Sequence, residues 1–141
     1  MSRKLIFRLF SILLFVGLAA CSSPKPAANG PVDVKITANE FSFQSSLTTF
    51  KVGVPYHFEV TNNGKVAHEL MLVKPIPAGT MDMEAMDSMA LAHVSDEELL
   101  PGTTKSFDYT FTEPAPAGQL EFSCHVPGHY EAGMKLPITV Q

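Results

Sequence analysis

The sequence predicts an all-β protein: a Greek-key β-sandwich of seven or eight short strands, with one short helical insertion. Three observations lead there. Apolar and polar residues alternate with period two in several stretches, as in Val32-Asp33-Val34-Lys35-Ile36-Thr37-Ala38. Eleven Pro and nine Gly are spread along the chain, so most elements are short and joined by turns. With 141 residues, there is room for one ordinary domain and not for two.

The first twenty residues stand outside that domain. Arg3, Lys4 and Arg8 precede a short apolar run from Leu9 to Leu18, too short for a comfortable membrane span. Small residues and then Cys21 follow, the pattern of a secretory signal. Leu18-Ala19-Ala20-Cys21 resembles the lipobox of bacterial lipoproteins. That resemblance implies a lipid on Cys21, which would become the first mature residue. The chain would then be anchored to a bacterial membrane on its extracytoplasmic, periplasmic side. An ordinary signal peptide cut nearby is the alternative. Residues 21–31, rich in Ser, Pro, Ala and Gly, read as a flexible tether. The folded domain is expected over residues 32–141.

Within it, Val32–Ala38 is the first strand, and Phe41 and Phe43 continue an alternating pattern past Asn39-Glu40. Thr48–Val52 is a short strand before the Gly53-Val54-Pro55 turn. Tyr56–Thr61 alternates again and is closed by Asn63-Gly64, a strong turn signal. The apolar run His68–Val73 is the next strand, ended by Pro75 and Pro77. Met81 to His93 is made of good helix formers and is the expected insertion. Ser95-Asp96-Glu97-Glu98 has the form of a capping box on a single turn, stopped by Pro101-Gly102. Strands resume at Lys105–Phe111. Pro114-Ala115-Pro116-Ala117-Gly118 reads as a turn-rich link, Gln119–Cys124 as a strand, and Lys135–Val140 as the last one.

Charge and cysteine usage narrow the function. Removing residues 1–20 takes away three basic groups and no acidic one, so the formal charge moves from −4 to −7. Such a domain is a poor nucleic-acid binder and suits a partner with a basic patch. If Cys21 carries lipid, Cys124 has no partner for a disulfide. A lone thiol in an oxidising compartment is a liability unless buried or metal-bound.

The chemistry concentrates in Cys124-His125-Val126-Pro127-Gly128-His129-Tyr130-Glu131-Ala132-Gly133-Met134. A thiol, an imidazole and a thioether recur every five residues, with Pro-Gly and Ala-Gly turns between them. A tight loop of this kind can turn all three toward one point. Thiolate, imidazole and a weak sulfur ligand together suit copper in two oxidation states. A second imidazole is needed. His68, at the start of an apolar strand, is the best candidate, and His57, in the middle of a strand, is its rival. Cys-x4-His-x4-Met after a strand, with an upstream His at a strand start, resembles the cupredoxins, the small blue copper proteins. The resemblance covers residues 32–141 and is most specific at this loop. It implies His68, Cys124 and His129 as strong ligands of one copper ion and Met134 as the weak axial one. It also implies electron transfer between redox proteins, such as a cytochrome or a copper enzyme, rather than catalysis. In many cupredoxins a small polar residue follows the upstream His, and here Glu69 stands there, which bears on the hydrogen bonds around the metal.

Two further features admit two readings. His125 could bind a second copper, as in multicopper enzymes, but no second histidine cluster supports it. On a helix, Met83, Met86, Met89 and His93 fall within about 120° of one another. That face is either a secondary Cu(I) site, favouring a copper-handling chaperone or resistance factor, or flexible packing against the sandwich. There is no catalytic triad and no supported carboxylate pair, so an enzyme is not expected. A monomer is.

Overall fold

The computed structural model describes residues 30–76 and 82–141, with Met83 placed by its backbone only. The expected signal segment, Cys21 and nearly all of the tether lie outside the described residues, as do Pro77 and Met81.

Among the described residues, nine strands and one helix follow in order: β1 Val32–Asn39, β2 Ser42–Ser45, β3 Thr49–Phe50, β4 Pro55–Asn62, β5 Leu70–Val73, α1 Met83–Met89, β6 Ala92–Val94, β7 Thr104–Thr110, β8 Ala115–Ser123 and β9 Lys135–Val140. They form a four-stranded sheet, β2-β1-β4-β7, and a five-stranded sheet, β3-β9-β8-β5-β6. Most neighbours are antiparallel, but β1 runs parallel to β4 and β3 parallel to β9.

In β1 and β4 alternation places one face inward. Val34, Ile36 and Ala38 of β1 and Tyr56, Phe58 and Val60 of β4 are buried, with polar residues between them. Phe50 of the short β3 is fully buried, and the rings of Tyr56, Phe58, Phe111 and Phe122 surround it at 5.0–6.3 Å. These are ordinary separations for offset and edge-on aromatic pairs, and they close the two sheets around one core. Among the described residues no helix is long and apolar enough to cross a membrane.

Three expectations need correction. The helix is shorter than Met81–His93. Asp82 caps it by accepting the Ala85 N–H, and it ends at Met89. His93 is therefore not on the helix but in β6, paired opposite Met71. Strand pairing with β5 outweighs the helix-forming composition there, as tertiary context often does with propensity. Of the supposed link Pro114–Gly118, all but Pro114 forms the irregular start of β8, whose register against β9 shifts between Ala115 and Leu120.

All four residues of β5 are buried. Leu70 and Leu72 face the sandwich core, while Met71 and Val73 pack with Ile76 and Met86 beneath α1. The helix thus covers the outer face of a strand that is apolar on both sides.

The β1–β2 turn, Glu40-Phe41, is irregular in one respect. Phe41 has φ +60°, in the left-handed region. For a residue with a Cβ that conformation costs about 1–2 kcal/mol. The second central position of such a turn usually takes Gly or Asn.

Candidate metal centre

Cys124 follows directly on β8, Met134 directly precedes β9, and His129 lies in the loop between them. The loop is tied to itself. The Cys124 N–H donates to the Met134 carbonyl at 3.1 Å, and the Met134 N–H donates to the His129 carbonyl at 3.0 Å. Gly128 and Gly133, at φ +87° and +101°, supply the left-handed turns that this closure requires. His68 comes from the crossing between the sheets. Its N–H donates to the Leu99 carbonyl at 3.2 Å. Asn62, fully buried, holds the same crossing by donating to the carbonyls of Val66 and Leu99 and accepting the Gly64 N–H.

These two segments bring the predicted side chains together. The Nδ1 atoms of His68 and His129 are 3.2 Å apart, and Cys124 Sγ is 3.3 Å from His129 Nδ1. All three ligand atoms lie within 4.8 Å of one another, and all three residues are buried. Met134 is fully buried beside Cys124 in the core, its backbone bonded to both Cys124 and His129. His57, by contrast, is on the four-stranded sheet, where its Nδ1 meets Asp108 at 2.6 Å across β4 and β7.

The electrostatics of the pocket are set first by burial. Burial pushes the Cys124 thiol up to about 11. Burial, and secondarily the neighbouring His129, hold the His68 imidazole below its usual range. Without an ion, the pocket keeps both groups neutral. His68 Nε2 is buried and has no hydrogen-bond partner among the described residues. It is walled by Gly64, where an added Cβ would lie 2.8 Å away. One borderline-soft cation satisfies a thiolate and two facing imidazole nitrogens at once, and the donor set fits copper.

Glu69 is the residue whose role the sequence left open. It is buried, its N–H donates to Cys124 Sγ at 3.5 Å, and its Oε1 accepts the His125 N–H. It therefore joins the His68 crossing to the Cys124 loop. Its Oε2 is 3.5 Å from His93 Nε2, and His93 Nδ1 is 3.7 Å from Asp87. These are ion-pair distances rather than short hydrogen bonds. The Glu69 carboxylate, against the opposing effect of burial, holds His93 above its ordinary range. Glu69, Asp87 and His93 also offer one ligand atom each within 4.8 Å of one another, with the imidazole standing between the two carboxylates.

The remaining candidates are placed differently. His125 is buried, stacks on Tyr130 at 4.5 Å and reaches Ser123 Oγ at 3.1 Å, so it braces the loop. Tyr130, which sequence reasoning passed over, donates to Glu121 at 2.8 Å and carries Lys135 over its ring. Its only signal was an aromatic inside a metal loop. Met86 is buried under α1, Met89 is exposed, and His93 is in β6, so these three do not form one helical face; the Met83 side chain lies outside the described residues.

Comparisons agree with this geometry. Two copper-resistant cuproproteins named CopI are similar over most of their length. The one from Rubrivivax gelatinosus is 29% identical over 121 residues, covering 84% of this chain and 72% of the relative. The one from Pseudomonas aeruginosa is 28% identical over 153 residues, covering 86% and 83%. Among solved structures, reduced auracyanin from Roseiflexus castenholzii superposes with a TM-score of 0.60 at 21% identity, over 80% of this chain and 99% of that one. Residues 31–141 match the family of copper-binding proteins described as plastocyanin/azurin, and with that sandwich and that donor set the chain belongs to this family.

Proposed function

We propose that the protein holds one copper ion through His68, Cys124 and His129, with Met134 as the weak fourth ligand, and passes single electrons between larger redox proteins. The observation that carries this is the convergence of one thiol and two imidazole Nδ1 atoms in a buried pocket built from two separate segments. Copper held there would exchange one electron between its two oxidation states. The chain's own contribution is to fix the donors. The closed Cys124–Met134 loop and the Glu69 bridge limit how far they rearrange when the charge changes. His129, nearest the surface of the three, is the exit toward a docked cytochrome or copper enzyme, with Val126 and Pro127 beside it. The protein acts as a monomeric carrier and not as an enzyme, outside the cytoplasm and anchored by lipid on Cys21.

Absorption of the oxidised, copper-loaded protein tests the centre. Wild type should show an intense visible thiolate-to-copper band, and Cys124→Ala should lose it. A band that survives in the variant removes the assignment.

A second reading has its own support. Both curated relatives carry the name copper-resistant cuproprotein, so the chain fits copper tolerance as well as electron transfer. A deletion strain separates the two. Copper sensitivity with respiration intact favours tolerance, and a block in electron flow at ordinary copper favours a carrier.

A further inference from the structure

The β1–β2 turn meets the His129 ring and the Gly64-Lys65 segment that walls His68. Only two residues, Glu40 and Phe41, separate the closing pair Asn39 and Ser42. Phe41 is held in the left-handed region, yet its side chain is 46% exposed. A bulky ring that is neither relaxed nor buried contributes little to the core, and such outliers gather at functional sites. The ring meets His129 edge-on, with centroids 5.3 Å apart and planes at 85°. His129 is left only 8% exposed. Glu40 turns to the other imidazole's loop. Its carboxylate accepts the Lys65 N–H, and its Oε1 lies 3.1 Å from the point where a Gly64 Cβ would stand, itself 2.8 Å from His68 Nε2.

We infer that Glu40-Phe41 is a clasp across the two histidine segments, and that Phe41 is its positioning residue. It fixes the His129 ring and closes the solvent edge of the site to small ligands and chelators. The inference rests on the copper reading above. The left-handed backbone is kept because it aims the ring at His129; a glycine would satisfy the turn and leave that edge open.

The test compares the full chain with Phe41→Gly and Phe41→Tyr. In the copper-loaded proteins, chelator extraction should be roughly two- to tenfold faster for Phe41→Gly, the factor matching one lost edge-to-face contact. Phe41→Tyr, which keeps the ring, should extract like wild type. Phe41→Gly should also melt no lower than wild type without metal, since the turn strain is relieved. In the metal-free proteins, diethyl pyrocarbonate should modify His129 faster in Phe41→Gly, with the half-exposed His57, far from the turn on the β4–β7 side, as internal reference. Equal extraction and equal His129 modification in all three chains overturn the clasp. So does faster extraction that merely follows a lowered melting temperature. If wild type takes up no copper, the copper reading fails by itself, and the metal-free modification rates still decide the role of Phe41.

Discussion

Gly64 shows how tightly the site is specified at the residue scale. A Cβ there would sit 2.8 Å from His68 Nε2 and 3.1 Å from Asn62 Oδ1, too close for either to stay in place. Gly64→Ala should therefore cost about 1–3 kcal/mol, the range for overpacking, and weaken copper binding as well. Denaturant unfolding of the metal-free protein and a competition titration check the two effects separately. Glu69 offers a graded test. Glu69→Gln keeps an oxygen for the His125 N–H, whereas Glu69→Ala leaves that buried donor unpaired, at about 1–3 kcal/mol. The Ala variant should also shift the visible band, because the joint between the two ligand segments is gone. A Gln variant as damaged as Ala would point instead to the ion pair with His93.

At the scale of elements, helix α1 is explained by what lies under it. β5 is apolar on both faces, and α1 shields the outer one through Met86 against Met71, Val73 and Ile76. Met86→Ala should lower stability by about 2–4 kcal/mol, as buried Met truncations do. Met89, 53% exposed, should tolerate the same change within about 0.5 kcal/mol. Equal effects at the two positions would mean that the helix does not dock as described. Equilibrium denaturation measures both. The Cys124–Met134 loop is the contrasting element. Its ends are hydrogen-bonded to each other, so its shape follows from its own glycines and turn residues.

For the whole molecule, pH is the most direct probe. The buried His68 and His125 have imidazoles held below their ordinary range by desolvation. The unfolded chain binds their protons first, so metal-free stability should fall as pH drops below about 6.5 and level off beneath their lowered values. His57 acts in the opposite sense. Asp108 raises its range, so its contribution is complete below the unfolded value and fades as pH climbs through the raised one. In His57→Gln the acid-side loss should deepen, as melting temperatures from pH 8 to 5 would show. Copper binding must also displace the Cys124 proton, held to about 11. Copper affinity should then fall about tenfold for each unit of acidification, measured by competition titration.

What the sequence determined by itself is local. The period-two stretches mark the strands because alternation is a property of neighbouring residues. The spacing of Cys124, His129 and Met134 marks the loop because Gly128 and Gly133 shape it from within. What only the tertiary structure decided is non-local. His68 was preferred to His57 from its place at a strand start, but that its imidazole meets His129 and Cys124 depends on how the two sheets pack, and no neighbouring residue encodes that. His93 was assigned to the helix because its neighbours are helix formers, but pairing with β5 took it into a strand. Glu69 as a bridge and Phe41 over His129 likewise exist only through contacts between distant segments. Such contacts are set by sheet pairing and burial, energies that belong to the folded chain as a whole and leave no short-range pattern in the sequence.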